Sequence, residues 1–266
     1  MKPEHKKPCI ALLGEFSAGK STLANLLLGR TQSRVRVTAT QVPPLWYQHG
    51  NGEPVRIRND DTKEPLGPDA DIAVAVEDTK VVHVPLDAPI LERIDLLDMP
   101  GSSDPNMAPD VWDSLLPSVD IAIWCTPATQ AWRQSEAAIW DNMPDAVQNR
   151  SMMLLTRFDK VRMQDQTRVL KRVRTEVAGQ FRHVLPAALL AKDAAGRSPA
   201  LKTIIAALDD LIENAVPKVV APVEASRAQI PKCPPRPLHE AVTPRRVTAL
   251  SAGTKSKRRS GPSALF

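Results

Sequence analysis

Residues Gly14-Glu15-Phe16-Ser17-Ala18-Gly19-Lys20-Ser21 spell GxxxxGK[ST], and they stand between an apolar run and a helical pattern. The run Cys9–Leu13 reads as a buried strand. Ser21 to Leu28 reads as a helix closed by Gly29. A strand, a glycine loop and a helix in that order aim backbone N–H groups at an anion on the helix N-terminus. Lys20 then reaches the β- and γ-phosphates of a nucleotide, and the Ser21 hydroxyl is a ligand for Mg²⁺. Gly14, Glu15, Phe16, Ser17, Ala18, Gly19 and Thr22 complete the expected cradle.

This loop serves ATPases, kinases and GTPases alike, so the discriminating residues lie downstream. Arg93 to Gly101 is a short apolar strand ending in Asp98-Met99-Pro100-Gly101. There Asp98 is the metal-side carboxylate and the Gly101 amide meets the γ-phosphate. Met152 to Lys160 is a second such strand, ending in Thr156-Arg157-Phe158-Asp159, close to the [NT]KxD sequence. A carboxylate at Asp159 accepts two hydrogen bonds from guanine N1–H and N2–H₂, a donor pair that adenine lacks. Arg157 stands where lysine is usual and can lay its planar head on the base. Between these segments, Val37 to Pro44 is a threonine-bearing loop of the kind that orders around a triphosphate. Thr40 is the candidate for Mg²⁺ and the γ-phosphate, with Thr38 as the alternative. Lys20, Thr40 and Ser17 are the catalytic candidates.

Together GEFSAGKST, TATQVP, DMPG and TRFD resemble the GTP-binding domain of dynamin-like large GTPases, the bacterial ones above all. Asp120 to Glu136 is similar to that family's central strand and the loop after it, and the resemblance covers about residues 8 to 216. It implies an α/β P-loop GTPase fold, a doubly wound, mostly parallel sheet with helices on both faces. It also implies GTP hydrolysis to GDP stimulated by pairing of two such domains, with Ser17 helping to place a monovalent cation, K⁺ or Na⁺. The chain departs from the pattern at three points. Phe16 replaces a water-positioning glutamine, Ser102 follows DxPG where Ras-like enzymes use glutamine, and Met99 replaces threonine. Slow turnover alone is the expectation. No long helical array precedes the first strand or follows residue 216, so a stalk is not evident and membrane-wrapping polymers are not expected from this chain alone. A nucleotide-loaded switch that hydrolyses negligibly and recruits a stalk-bearing partner is the alternative. An ATP-dependent kinase or ATPase is a third reading, against which TRFD argues.

Composition divides the chain. From Ala221 the last 46 residues hold seven prolines, nine Lys or Arg, two Glu and one aromatic, Phe266. That is a net +7 within a chain of +5, so the first 220 residues carry −2. Residues 1–220 are expected to be the GTP-binding domain and 221–266 a disordered basic tail. Such a balance gives no ground for specific nucleic-acid binding by the folded part. Lys255, Lys257, Arg258 and Arg259 suit weak, salt-sensitive contact with an anionic membrane or an acidic partner, each adding about 1 kcal/mol near a membrane surface. No run approaches the roughly twenty apolar residues of a membrane span. The three cysteines show no metal spacing. A cytoplasmic protein, peripheral to a membrane where the tail engages one, is the expected setting. Leu45 to Gln48 and Val55 to Arg58 flank His49-Gly50-Asn51-Gly52-Glu53 and read as a hairpin, with a surface insertion over 59–72. Trp132, Trp140 and Arg133 are candidates for core or for a partner surface, and Leu189 to Lys192 for a last nucleotide loop near guanine O6.

Overall fold

Strand β1 (Cys9–Leu13) is buried at all five positions, and a strand with no polar face needs cover on both sides of its sheet. The computed structural model describes residues 7–29, 43–67, 78–102, 109–194, 196 and 198–215. Within it β1 lies between β6 (Asp95–Asp98) and β7 (Ile121–Pro127), parallel to both. Strands β8 (Ser151–Thr156) and β9 (His183–Ala187) extend the parallel half beyond β7. On the other side come β2 (Leu45–His49), β5 (Thr79–Leu86), β3 (Val55–Arg58) and β4 (Lys63–Pro65). The nine described strands run β4-β3-β5-β2-β6-β1-β7-β8-β9.

Alternation along the strands makes two cores. Ile10, Leu12, Ile121, Ile123 and Leu154 meet Leu23 and Leu27 of α1 (Lys20–Leu27) and Ile204 and Leu208 of α6 (Pro199–Ala215) on one face. Ala11, Leu13, Trp124, Met153 and Leu155 meet the opposite set of helices. These are α2 (Pro109–Leu115) through Trp112, α3 (Gln134–Trp140) through Trp140, α4 (Asp145–Gln148) through Val147 and α5 (Met163–Glu176) through Val173. The chain is therefore a doubly wound α/β fold, as the family resemblance implies. Every fully buried Leu or Ile adds roughly 2 kcal/mol before conformational entropy is counted.

The expected hairpin over residues 45–58 does not form. Strand β5 lies between the two segments, parallel to β2 and antiparallel to β3. Its side chains at Thr79, Val81, Val82, Val84 and Leu86 are buried, and that apolar strand claims the interior position on which the exposed turn His49–Glu53 has no hold. The hairpin is instead β3 to β4, with Ile57 opposite Lys63; its turn and β4 fall inside the segment read as an insertion, while β3 precedes it. Trp132 and Trp140 belong to the core: Trp124, Trp132, Trp140 and Phe181 form a cluster with ring centroids 4.2–6.2 Å apart. Helix α5 ends at Glu176, and Gly179 turns the chain at φ 82° toward β9. The first-switch candidates Thr38 and Thr40 and the tail 221–266 lie outside the described residues. No described helix is long and apolar enough to cross a membrane.

Candidate functional site

The glycine loop sits at the carboxyl end of β1, and its shape depends on its residue types. Gly14 has φ +127°, and a Cβ there would lie 2.1 Å from the Cys125 carbonyl oxygen, so β7 approaches too closely for any side chain. Gly19, at φ +94°, turns the chain into the first turn of α1. Ser17 between them holds a left-handed φ of 57°, a conformation that costs a non-glycine residue about 1–2 kcal/mol. Behind the loop the Cys125 thiol is buried and its pKa is pushed up to about 12; it stays protonated, and its part is packing.

Lys20 is buried, and its ammonium donates to the carbonyls of Gly14 at 3.0 Å and Glu15 at 2.7 Å. Those oxygens hold the cation inside the loop, where phosphate oxygens can replace them. Close by, Asp98 ends β6 with its Oδ1 buried and without a hydrogen-bond partner. Burial raises its pKa from 3.8 to about 6, against the pull of Lys20 and a hydrogen bond from Ser21. An orphaned carboxylate oxygen beside a hydroxyl at a helix N-terminus is the donor set that Mg²⁺ uses when phosphate oxygens and waters complete its shell. The residues present fit that ion. Three residues on, Gly101 packs against the loop so closely that a Cβ would lie 2.5 Å from the Phe16 nitrogen. The Ser102 N–H donates to the Gly14 carbonyl at 3.2 Å.

The end of β8 meets the same loop. Thr156 is buried and its hydroxyl donates to the Ala18 carbonyl at 2.7 Å. Arg157, at φ 52°, donates from Nη2 to the Ser17 carbonyl at 2.8 Å. Asp159 follows on a short turn, half exposed, with the Lys160 ammonium 3.5 Å away. Leu189 reaches the site from beyond β9, its Cδ1 3.6 Å from a Cβ placed on Gly19, which brings the proposed last loop to the cradle. The structure thus gathers Gly14 through Thr22, Asp98, Gly101, Thr156, Arg157 and Asp159 at the carboxyl ends of β1, β6 and β8. Thr40 and its alternative Thr38 lie outside the described residues.

Sequence reasoning missed a second layer. The Glu15 carboxylate is held by the Arg133 guanidinium and by the Ser135 hydroxyl, which donates at 3.0 Å. Glu136, fully buried, accepts from Trp124 Nε1 at 3.1 Å, Thr126 Oγ1 at 3.0 Å and the Arg133 N–H at 3.0 Å. The available signal was Arg133-Gln134-Ser135-Glu136, whose Glu stands at the third position of a helix, where it caps the preceding N–H.

Residues 10–158, more than half of the chain, match the family model of the dynamin family. The chain belongs to the dynamin family. It is 28% identical over 184 residues to dynamin-like protein 2 of Campylobacter jejuni, covering 66% of this chain and 30% of that protein. Two solved structures described as an oligomerised bacterial dynamin pair share its fold, with TM-scores of 0.58 and 0.54 at 22% and 21% identity. They cover 79% and 78% of this chain and 36% and 34% of theirs. The chain thus spans about a third of the length of these dynamin relatives. The glycine loop and DxPG lie inside the matched region, and TRFD, residues 156–159, runs one residue past its end.

Proposed function

We propose that the chain is a GTP-binding protein that uses Mg²⁺ and hydrolyses GTP to GDP and phosphate, slowly alone and faster when two such domains pair or a partner docks. The observation that supports this reading is the meeting of three strand ends on one loop. Gly101 abuts Phe16, while Thr156 and Arg157 bond to Ala18 and Ser17. In this reading the loop amides and Lys20 hold the phosphates, and Ser21, Asp98 and Thr40 serve the metal. When bound, Mg²⁺ neutralises charge on the β- and γ-phosphate oxygens. Thr156 and Arg157 fix the distance from phosphate to base, Ser17 serves a monovalent cation, and Asp159 selects guanine.

The chain's own residues supply positioning and charge rather than a base. Phe16, 63% exposed at the mouth of the loop, has no group to orient water, and the Ser102 side chain is shorter than the glutamine of Ras-like enzymes. Slow basal turnover follows. Phe16 also favours a second reading, a GTP-loaded switch that hydrolyses negligibly and delivers its surface to a stalk-bearing partner. Residues 1–220 would carry the site in either case and 221–266 a basic tether to an acidic or anionic surface in the cytoplasm.

Equilibrium binding of fluorescent GDP and GTP with Mg²⁺, competed by ATP, tests the reading on wild type and Asp159→Asn. Guanine preference in wild type that disappears in the variant is expected. Equal competition by ATP in wild type would overturn it. Turnover that rises with protein concentration then separates the enzyme from the switch.

A further inference from the structure

Glu15 is the one acidic residue of the glycine loop, and it is 6% exposed. A carboxylate in a loop built to attract phosphate works against its ligand unless its charge is taken up elsewhere. Here the uptake comes from the segment after β7. Arg133 forms an ion pair with Glu15 Oε2, and Ser135 Oγ donates to Oε1 at 3.0 Å. Both oxygens are therefore turned away from the phosphate side of the loop and fastened to the start of α3.

The backbone of Glu15 is part of the loop itself. Its carbonyl accepts from Lys20 Nζ at 2.7 Å and from the Ala18 N–H at 3.2 Å. The peptide that follows it carries the Phe16 nitrogen, against which Gly101 is packed. One residue thus joins the phosphate lysine, the turn of the loop, the DxPG segment and α3. The anchoring end is itself well fixed: the Arg133 N–H and the Thr126 hydroxyl converge on the buried Glu136, and Arg172 Nη2 donates to the Ala131 carbonyl at 2.9 Å.

We propose that Arg133 and Ser135 are positioning residues for the nucleotide site, acting on it through the Glu15 carboxylate. This inference rests on the nucleotide-binding reading above and adds a control point to it. With the clamp closed, the Glu15 carbonyl and the loop amides stand in register and the acidic charge is neutralised. With the clamp open, an unpaired carboxylate turns back into a site meant for phosphates. The clamp involves no bond making or breaking; it sets the affinity for the phosphate groups.

The test uses the full chain with Mg²⁺ and fluorescent GDP, measuring the dissociation constant and off-rate beside the urea midpoint. Arg133→Ala is expected to weaken GDP binding about tenfold, the scale of one lost hydrogen bond to a charged group. Arg133→Lys should recover most of that loss. Glu15→Gln combined with Arg133→Ala should bind GDP no worse than Arg133→Ala alone, because the charge that Arg133 restrains is gone. A purely structural ion pair would lower the urea midpoint and leave the off-rate of the folded protein unchanged, which would overturn the proposal. Ser135→Ala removes a single neutral donor, so it keeps the test open if Arg133→Ala does not fold; an off-rate equal to wild type would count against the clamp. Wild type that binds no GDP would sink the nucleotide reading and this inference with it. Wild type and Arg133→Ala that bind equally would sink this inference alone.

Discussion

Replacing Asp98 by asparagine should stabilise the ligand-free protein and at the same time abolish its response to Mg²⁺ and nucleotide. One Asp98 oxygen is buried without a partner, and burial raises the pKa from 3.8 to about 6 against the pull of Lys20 and Ser21. A rise of about two units means that ionising Asp98 costs the folded state about 3 kcal/mol relative to the unfolded chain. Because the folded pKa lies above the unfolded one, the favourable contribution of the protonated form is complete below 3.8 and is lost as pH rises through about 6. The unfolding free energy of Asp98→Asn minus that of wild type should therefore grow by about 2.4 kcal/mol between pH 4 and pH 8, the rest of the change lying below pH 4. Taking the difference cancels other groups that titrate nearby, among them His83, whose pKa burial lowers. The assay is urea unfolding at several pH values in EDTA without nucleotide. It is then repeated at pH 8 with Mg²⁺ and GDP at a hundredfold excess over Kd, where wild type gains about 2.7 kcal/mol and the variant little. A difference that is flat with pH would refute the buried-charge argument. An equal gain from Mg²⁺ and GDP in both proteins would refute the metal role of Asp98.

Other perturbations probe the surrounding layers. Gly29→Ala places a side chain at φ +67° in open space and should cost about 1 kcal/mol, whereas Gly14→Ala meets the Cys125 carbonyl and should cost at least about 3 kcal/mol; equal urea midpoints would contradict the close approach of β7. Glu136→Ala leaves Trp124 Nε1, Thr126 Oγ1 and the Arg133 N–H without an acceptor, for a loss of about 3 kcal/mol or more. Intrinsic tryptophan fluorescence during urea unfolding reports it, and a wild-type midpoint would show that the network is dispensable. Arg182 and His183 hold the Asp210 carboxyl well below the usual carboxylate range. Its contribution is present above 3.8 and lost as pH falls below that value, so Asp210→Asn should flatten the acid limb of the stability curve; an unchanged limb would refute the pairing.

Local chemistry made the parallel half of the fold readable. Strand β1, its loop and α1 lie within twenty residues and carry their own punctuation in Gly14, Gly19 and Gly29. The other half was not readable in the same way. The turn after β2 has hairpin residues, yet β5, more than thirty residues further on, has the stronger claim on the position beside β2 because Val82, Val84 and Leu86 must be buried. Adjacency in sequence is a local preference of a fraction of a kcal/mol per residue pair, and burial of one valine outweighs it. The functional site divides along the same line. A motif specifies backbone that faces the ligand, so its glycines, lysine and serine are visible at fixed spacing. The side chains that hold that backbone come from wherever the sheet brings them. Ser135 lies 120 residues from the glutamate it bonds, and no spacing rule connects the two. What connects them is the order β1-β7 in the sheet, which places the start of α3 beside the loop. The control of nucleotide affinity proposed for Arg133 is thus a property of the topology, and a dynamin-family domain with the same glycine loop but another residue at the start of α3 should hold its nucleotide with a different off-rate.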